Sequence, residues 1–142
     1  MNRKLALAEW RRAQQALGAA ELLSREGYYA DAVARTYYAL LHAAKAALQV
    51  QDVEAETHAG VRRMFELHLI KAGELEPEWS TPLGETLDER LTADYDPVVS
   101  FSAKEARAAC REARAFVGRI RRYLLDQGFT RSELRSRRKK DG

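Results

Sequence analysis

The sequence predicts an all-α protein, an antiparallel up-and-down bundle of four to five helices. Three observations carry that expectation. Alanine and leucine dominate, and apolar residues recur at spacings of three and four. No run of alternating β-branched residues breaks the pattern, as a half-buried strand would. The 142 residues hold only 8 glycines and 3 prolines, and Gly27, Gly73 and Gly128 fall where helices should stop.

The first helix should run over about residues 3–25, with Leu5, Ala8, Arg12, Gln15, Ala19 and Leu22 marking its turns and Gly27 ending it. The second covers about residues 29–50, where Val33, Tyr37, Leu40, Leu41, Ala44 and Leu48 make an apolar face. Polar residues 51–56 separate it from a third helix over about residues 57–71, which Gly73 closes. A shorter fourth helix is placed over about residues 78–92, with Pro77 and Pro82 near its start. Residues 93–101 read as a loop turning at Asp96-Pro97. The fifth helix opens after Ser102. Ser102 and Glu105 form a capping box, the serine hydroxyl meeting an early N–H and the glutamate reaching back. Its seam is Ala103, Ala106, Cys110, Ala113, Val117, Ile120 and Leu124, and Gly128 ends it. Residues 1–126 thus form one bundle. Residues 127–142, with Arg137-Arg-Lys-Lys140 and few apolar side chains, read as a basic, disordered tail.

A hydrophobic fraction of 46% is enough for a core and excludes wholesale disorder. No apolar run approaches the roughly 20 residues that cross a bilayer, and the N-terminus lacks a signal-peptide pattern. The expectation is a soluble cytoplasmic protein with no membrane partner. A single cysteine, Cys110, excludes an intrachain disulfide, and three histidines without ligand spacing argue against zinc, so neither metal nor cofactor is expected. The net charge of +3 conceals an imbalance: residues 1–101 carry 11 basic and 16 acidic side chains, residues 102–142 carry 13 and 5. A basic C-terminal third suits an anionic partner such as nucleic acid, although a solvated helix and tail would look the same.

Three groups of residues are candidates for chemistry. On the second helix Asp31, Arg35, Tyr38, His42, Lys45 and Gln49 form a polar stripe, and Arg35 and His42, seven residues apart, share a face. An arginine and a histidine there suit phosphate binding and proton transfer, while the same pattern also describes a solvated face. At the end of the fourth helix, Arg90, Asp94 and Tyr95 cluster. An arginine stabilises a phosphorane-like anion, and a neighbouring base removes a proton from a 2′-hydroxyl. Tyr95 is a poor base, because a phenol titrates near ~10, and Asp94 would need a raised pKa. On the fifth helix Lys104, Arg107, Arg111, Arg114 and Arg121, with Arg122 beside them, form a stripe able to follow a phosphate backbone or an acidic partner. There is no glycine-rich phosphate loop and no nucleophile elbow.

Three segments together resemble the HEPN superfamily: ADAVARTYYALLHAAKAAL at residues 30–48, ETHAGVRRMFELHLIKAG at 56–73 and LDERLTADYDP at 87–97, followed by the ending at 109–124. The likeness spans roughly residues 5–125 and is closest to the branch found beside a minimal nucleotidyltransferase. The resemblance implies a helical homodimer belonging to a toxin–antitoxin-type pair, with the HEPN chain a metal-independent endoribonuclease acting at the dimer cleft. It also implies a signature of an arginine, four to six residues, then a histidine, at the end of the fourth helix. Arg90 matches the arginine, Tyr95 stands in the histidine place, and Asp94 precedes it. Arg35 and His42 satisfy the spacing but lie on the second helix. RNA or a nucleotide is a candidate partner beside the nucleotidyltransferase, and the alternative reading is a non-catalytic HEPN module that binds a nucleotidyltransferase partner or a nucleotide.

Overall fold

The computed structural model describes residues 1–84, 97–98 and 100–136. Within them α1 spans Arg3–Arg25, α2 Tyr29–Val50, α3 His58–Phe65, α4 Ala103–Asp126 and α5 Arg131–Leu134. The described residues contain no strand, as an all-α reading requires.

α2 is the central helix. It packs against α1, α3 and α4. Every residue of its expected apolar face is buried, and alanines at 32, 34, 39, 43, 44, 46 and 47 let its neighbours approach closely. α4 buries the expected seam from Ala106 to Leu124 and adds Phe116 and Tyr123, with Phe116 meeting Phe65 of α3 at 5.6 Å between rings. Ser102 and Glu105 make the expected capping box, each accepting from the other's backbone N–H at 3.1 Å. Cys110 is buried.

The face of α1 differs from the sequence reading by a fraction of a turn. Ala6, Trp10, Ala13, Ala16, Leu17 and Ala20 are the buried set, while Leu5 and Leu22 are 39% and 52% exposed. Trp10 outweighs the leucines because a buried indole removes far more apolar surface from water than a leucine at a helix end.

α3 runs into a π-helical turn at Glu66–Ile70, one residue per turn looser than the expected α-helix. Gly73 then reverses the chain at φ +80°, and Glu74 and Leu75 both donate to the Leu69 carbonyl. Proline sets up a 3₁₀ turn at Pro77–Ser80, followed by helical residues 81–84. The rest of the expected fourth helix lies outside the described residues.

The expectation of a disordered tail from residue 127 fails for the part described. Phe129 and Leu134 are 3% and 1% exposed, against a partly exposed Arg3 whose guanidinium lies 4.5 Å from the Phe129 ring centre. Thr130 and Glu133 form a second capping box that starts α5. Arg3 forks onto Glu133 at 2.9 and 2.5 Å and donates to the Gly128 carbonyl at 3.0 Å. Two apolar anchors and a cap outweigh the local charge. Arg137 to Lys140 lie outside the described residues.

Candidate functional site

α1 and α2 are joined by a short turn and so lie antiparallel, side by side. Their polar stripes meet along one edge in a groove of about 410 Å³ lined by Arg12, Gln15, Ala16, Ala19, Arg35, Tyr38 and His42. Helical periodicity explains the convergence. Arg12, Gln15 and Ala19 repeat on one line of α1, and Arg35, Tyr38 and His42 repeat on one line of α2.

Glu9 sits at one end of this edge. Its Oε2 accepts from His42 Nδ1 at 2.6 Å, and its Oε1 lies 3.6 Å from Lys45 Nζ. Burial pushes the Glu9 carboxyl up, but the His42 hydrogen bond and the Lys45 charge outweigh it and hold the group below the ordinary carboxylate range. An ionised carboxylate only accepts, so His42 donates to it from Nδ1, and Nε2 lies outside this bond. Arg35 places its guanidinium carbon 4.9 Å from the Tyr38 ring centre.

The structure therefore brings Arg35 and His42 to one groove, as their spacing predicts. Glu9, Arg12 and Gln15 were missed as partners. Arg12 and Gln15 did mark turns of the first helix in the sequence, but no local pattern tells which face of α2 they meet. Glu9 lies 33 residues from His42.

Arg90, Asp94 and Tyr95 lie outside the described residues. The basic stripe of α4 divides. Lys104, Arg107 and Arg111 are exposed. Arg114 is forked onto Glu21 at 2.8 and 2.5 Å, which raises the pKa of its guanidinium. Arg121 lines a separate cleft of about 360 Å³ between α1 and α4, with Trp10, Gly18 and Gly118. Arg119, which the stripe did not include, is held by Glu76 at 2.7 and 3.0 Å. A further cleft of about 500 Å³, between α3 with its π turn and residues 80–84, is edged by Arg62, Arg63 and Lys71.

Among the described residues no group of three His, Cys, Asp or Glu side chains is placed to hold a metal ion, and no helix is long and apolar enough to cross a membrane.

Residues 7–123 match the family described as the HEPN domain. Among relatives, the Methanocaldococcus jannaschii protein named "Putative toxin MJ0142" is 30% identical over 86% of this chain and 83% of its own length. A second protein of that organism, "Putative toxin MJ0605", is 37% identical over 80% of this chain and 84% of its own. A UPF0332 protein of Thermotoga maritima is 30% identical over 89% of this chain and 97% of its own.

Proposed function

Because the chain belongs to the HEPN domain family, we propose that it is the toxin-type member of a toxin–antitoxin pair and cleaves RNA as a homodimer, without a metal ion. The observation that carries this reading is the match over residues 7–123 together with two relatives named as toxins. Arg90 stabilises the charge that develops on the attacked phosphate. Asp94 and Tyr95 position and activate the 2′-hydroxyl. The bond from O2′ to phosphorus forms, the bond from phosphorus to O5′ breaks, and the proton released from O2′ ends on the departing O5′. The exposed cations of α4, Lys104, Arg107 and Arg111, give a strand a phosphate-tracking surface.

The test is cleavage of bulk RNA by the purified chain in EDTA, beside Arg90→Ala. The expected result is cleavage that falls by about a hundredfold or more in the variant, the scale of losing one charge-stabilising donor. Absence of cleavage by a wild type shown to be folded and dimeric by light scattering overturns the reading.

One observation favours a second reading: Tyr95 stands where the family signature has histidine. In that case the chain is a non-catalytic module for a minimal nucleotidyltransferase antitoxin or a nucleotide. It then cleaves no RNA but forms a complex with that partner which Arg90→Ala weakens.

A further inference from the structure

Arg12 and Arg35 bring two guanidinium groups to the concave edge between α1 and α2, and neither meets a carboxylate among the described residues. Other arginines of the bundle are treated differently. Arg3, Arg114 and Arg119 are each forked onto a glutamate. Glu9, the acid nearest the groove, is already committed to His42 and Lys45. Asp31, one turn before Arg35 on α2, makes no ion pair with it. Two like charges lining one cleft repel, and an anion between them lowers the energy of both.

The remaining walls say what kind of anion. Stacking on Tyr38 restrains the Arg35 guanidinium while leaving its N–H edge free for oxygen. Gln15 adds an amide able to donate, and Glu9 holds the His42 ring in place at the end of the groove. Ala16 and Ala19 form a floor without long side chains, so about 410 Å³ stays open, within the range of small-molecule sites. A phosphate monoester carries a charge of about −1.5 to −2 near neutrality and three acceptor oxygens. An internal diester carries a single charge. Two guanidinium forks match the monoester better.

We infer that the groove between α1 and α2 binds a terminal phosphate, that of an RNA end or of a mononucleotide, with Arg12 and Arg35 as its clamp. The site is one of recognition, and its occupancy does not depend on cleavage by Arg90.

The test uses strands that cannot be cleaved. A short 2′-O-methyl oligonucleotide is prepared with a 5′-phosphate, with a 3′-phosphate, and with neither, and binding is measured by fluorescence anisotropy at one salt concentration. The expected result is a preference of about tenfold for one phosphorylated form, 1.4 kcal/mol. That preference disappears in the Arg12→Gln/Arg35→Gln double variant. Both side chains are exposed, so the variant should keep the wild-type melting temperature. Adenosine monophosphate is titrated by calorimetry in parallel. Binding that is lost in the double variant, without any preference among the strands, assigns the site to mononucleotides. Equal binding of all three strands together with no binding of the mononucleotide overturns the inference, as does a preference that survives in the double variant. Neither result bears on RNA cleavage, which is read separately with Arg90→Ala.

Discussion

The indole Nε1 of Trp10 donates a 3.0 Å hydrogen bond to the backbone carbonyl of Leu134, 124 residues further along the chain. Both residues are 1% exposed, and Gln14 donates to the same carbonyl at 2.7 Å. α5, only 4 residues long, is therefore a structural closure of α1.

Leu134→Ala should destabilise the protein by about 2–5 kcal/mol, the range for emptying a buried leucine site. Urea denaturation monitored by circular dichroism checks this. A loss under about 1 kcal/mol would mean that α5 is detached from the bundle in solution.

Stability should fall modestly with acid, because the ion pairs concerned are on the surface. Arg119 and Trp79 hydrogen-bond to Glu76 and hold its carboxyl at about 2, and Arg3 with the Thr130 backbone holds Glu133 at about 2, against an ordinary 4.5. Both folded values lie below the unfolded one, so the stabilisation is present above about pH 4.5 and drains away as pH falls toward 2. In a Glu76→Gln/Glu133→Gln variant the melting temperature should drop less across that window than in the wild type. Parallel curves would refute the assignment.

Two glycines should respond oppositely to alanine. Gly128 adopts φ +98°, so Gly128→Ala should cost about 1 kcal/mol or more. Gly118 is inside α4, and a Cβ there would meet nothing within 4 Å, so Gly118→Ala should stabilise the monomer by about 0.4–1 kcal/mol. Thermal denaturation of the two variants side by side reads the sign of each. Destabilisation by Gly118→Ala that grows with protein concentration would identify this face as one buried between subunits.

The α4 cations should not contribute equally to binding a single strand. Replacing Arg107 and Arg111, which are exposed, should each reduce the slope of log affinity against log salt by about 0.7. Arg114→Ala should reduce it less, because Glu21 already neutralises that side chain. Equal slopes for all three variants would mean that the Glu21 fork opens on binding.

Much of the bundle was legible because local physics decides it. The Ser102–Glu105 box, the glycine after α4 and the apolar face of α2 are all set by residues within a turn or two of one another. α5 carried an equally local signal, Thr130-x-x-Glu133 followed by Leu134, but it lay in a segment whose charge argued for disorder. The π turn after Phe65 has no comparable signature. Of the groove, the α2 half was legible from the spacing of Arg35 and His42. The α1 half was not, since the partnership of Glu9 with His42 is fixed by how two helices are rotated against each other.

Closure of α1 by α5 also has a consequence for synthesis. The first helix leaves the ribosome early, yet its buried indole N–H finds its acceptor only when Leu134 has been made. Until then that donor is either wet or unpaired, which a buried group tolerates poorly. The lock on α1 therefore waits for Leu134, and a nascent chain or one clipped before Phe129 lacks it. For a protein proposed to harm the cell that makes it, such an order delays the closed fold until residue 134 has been made.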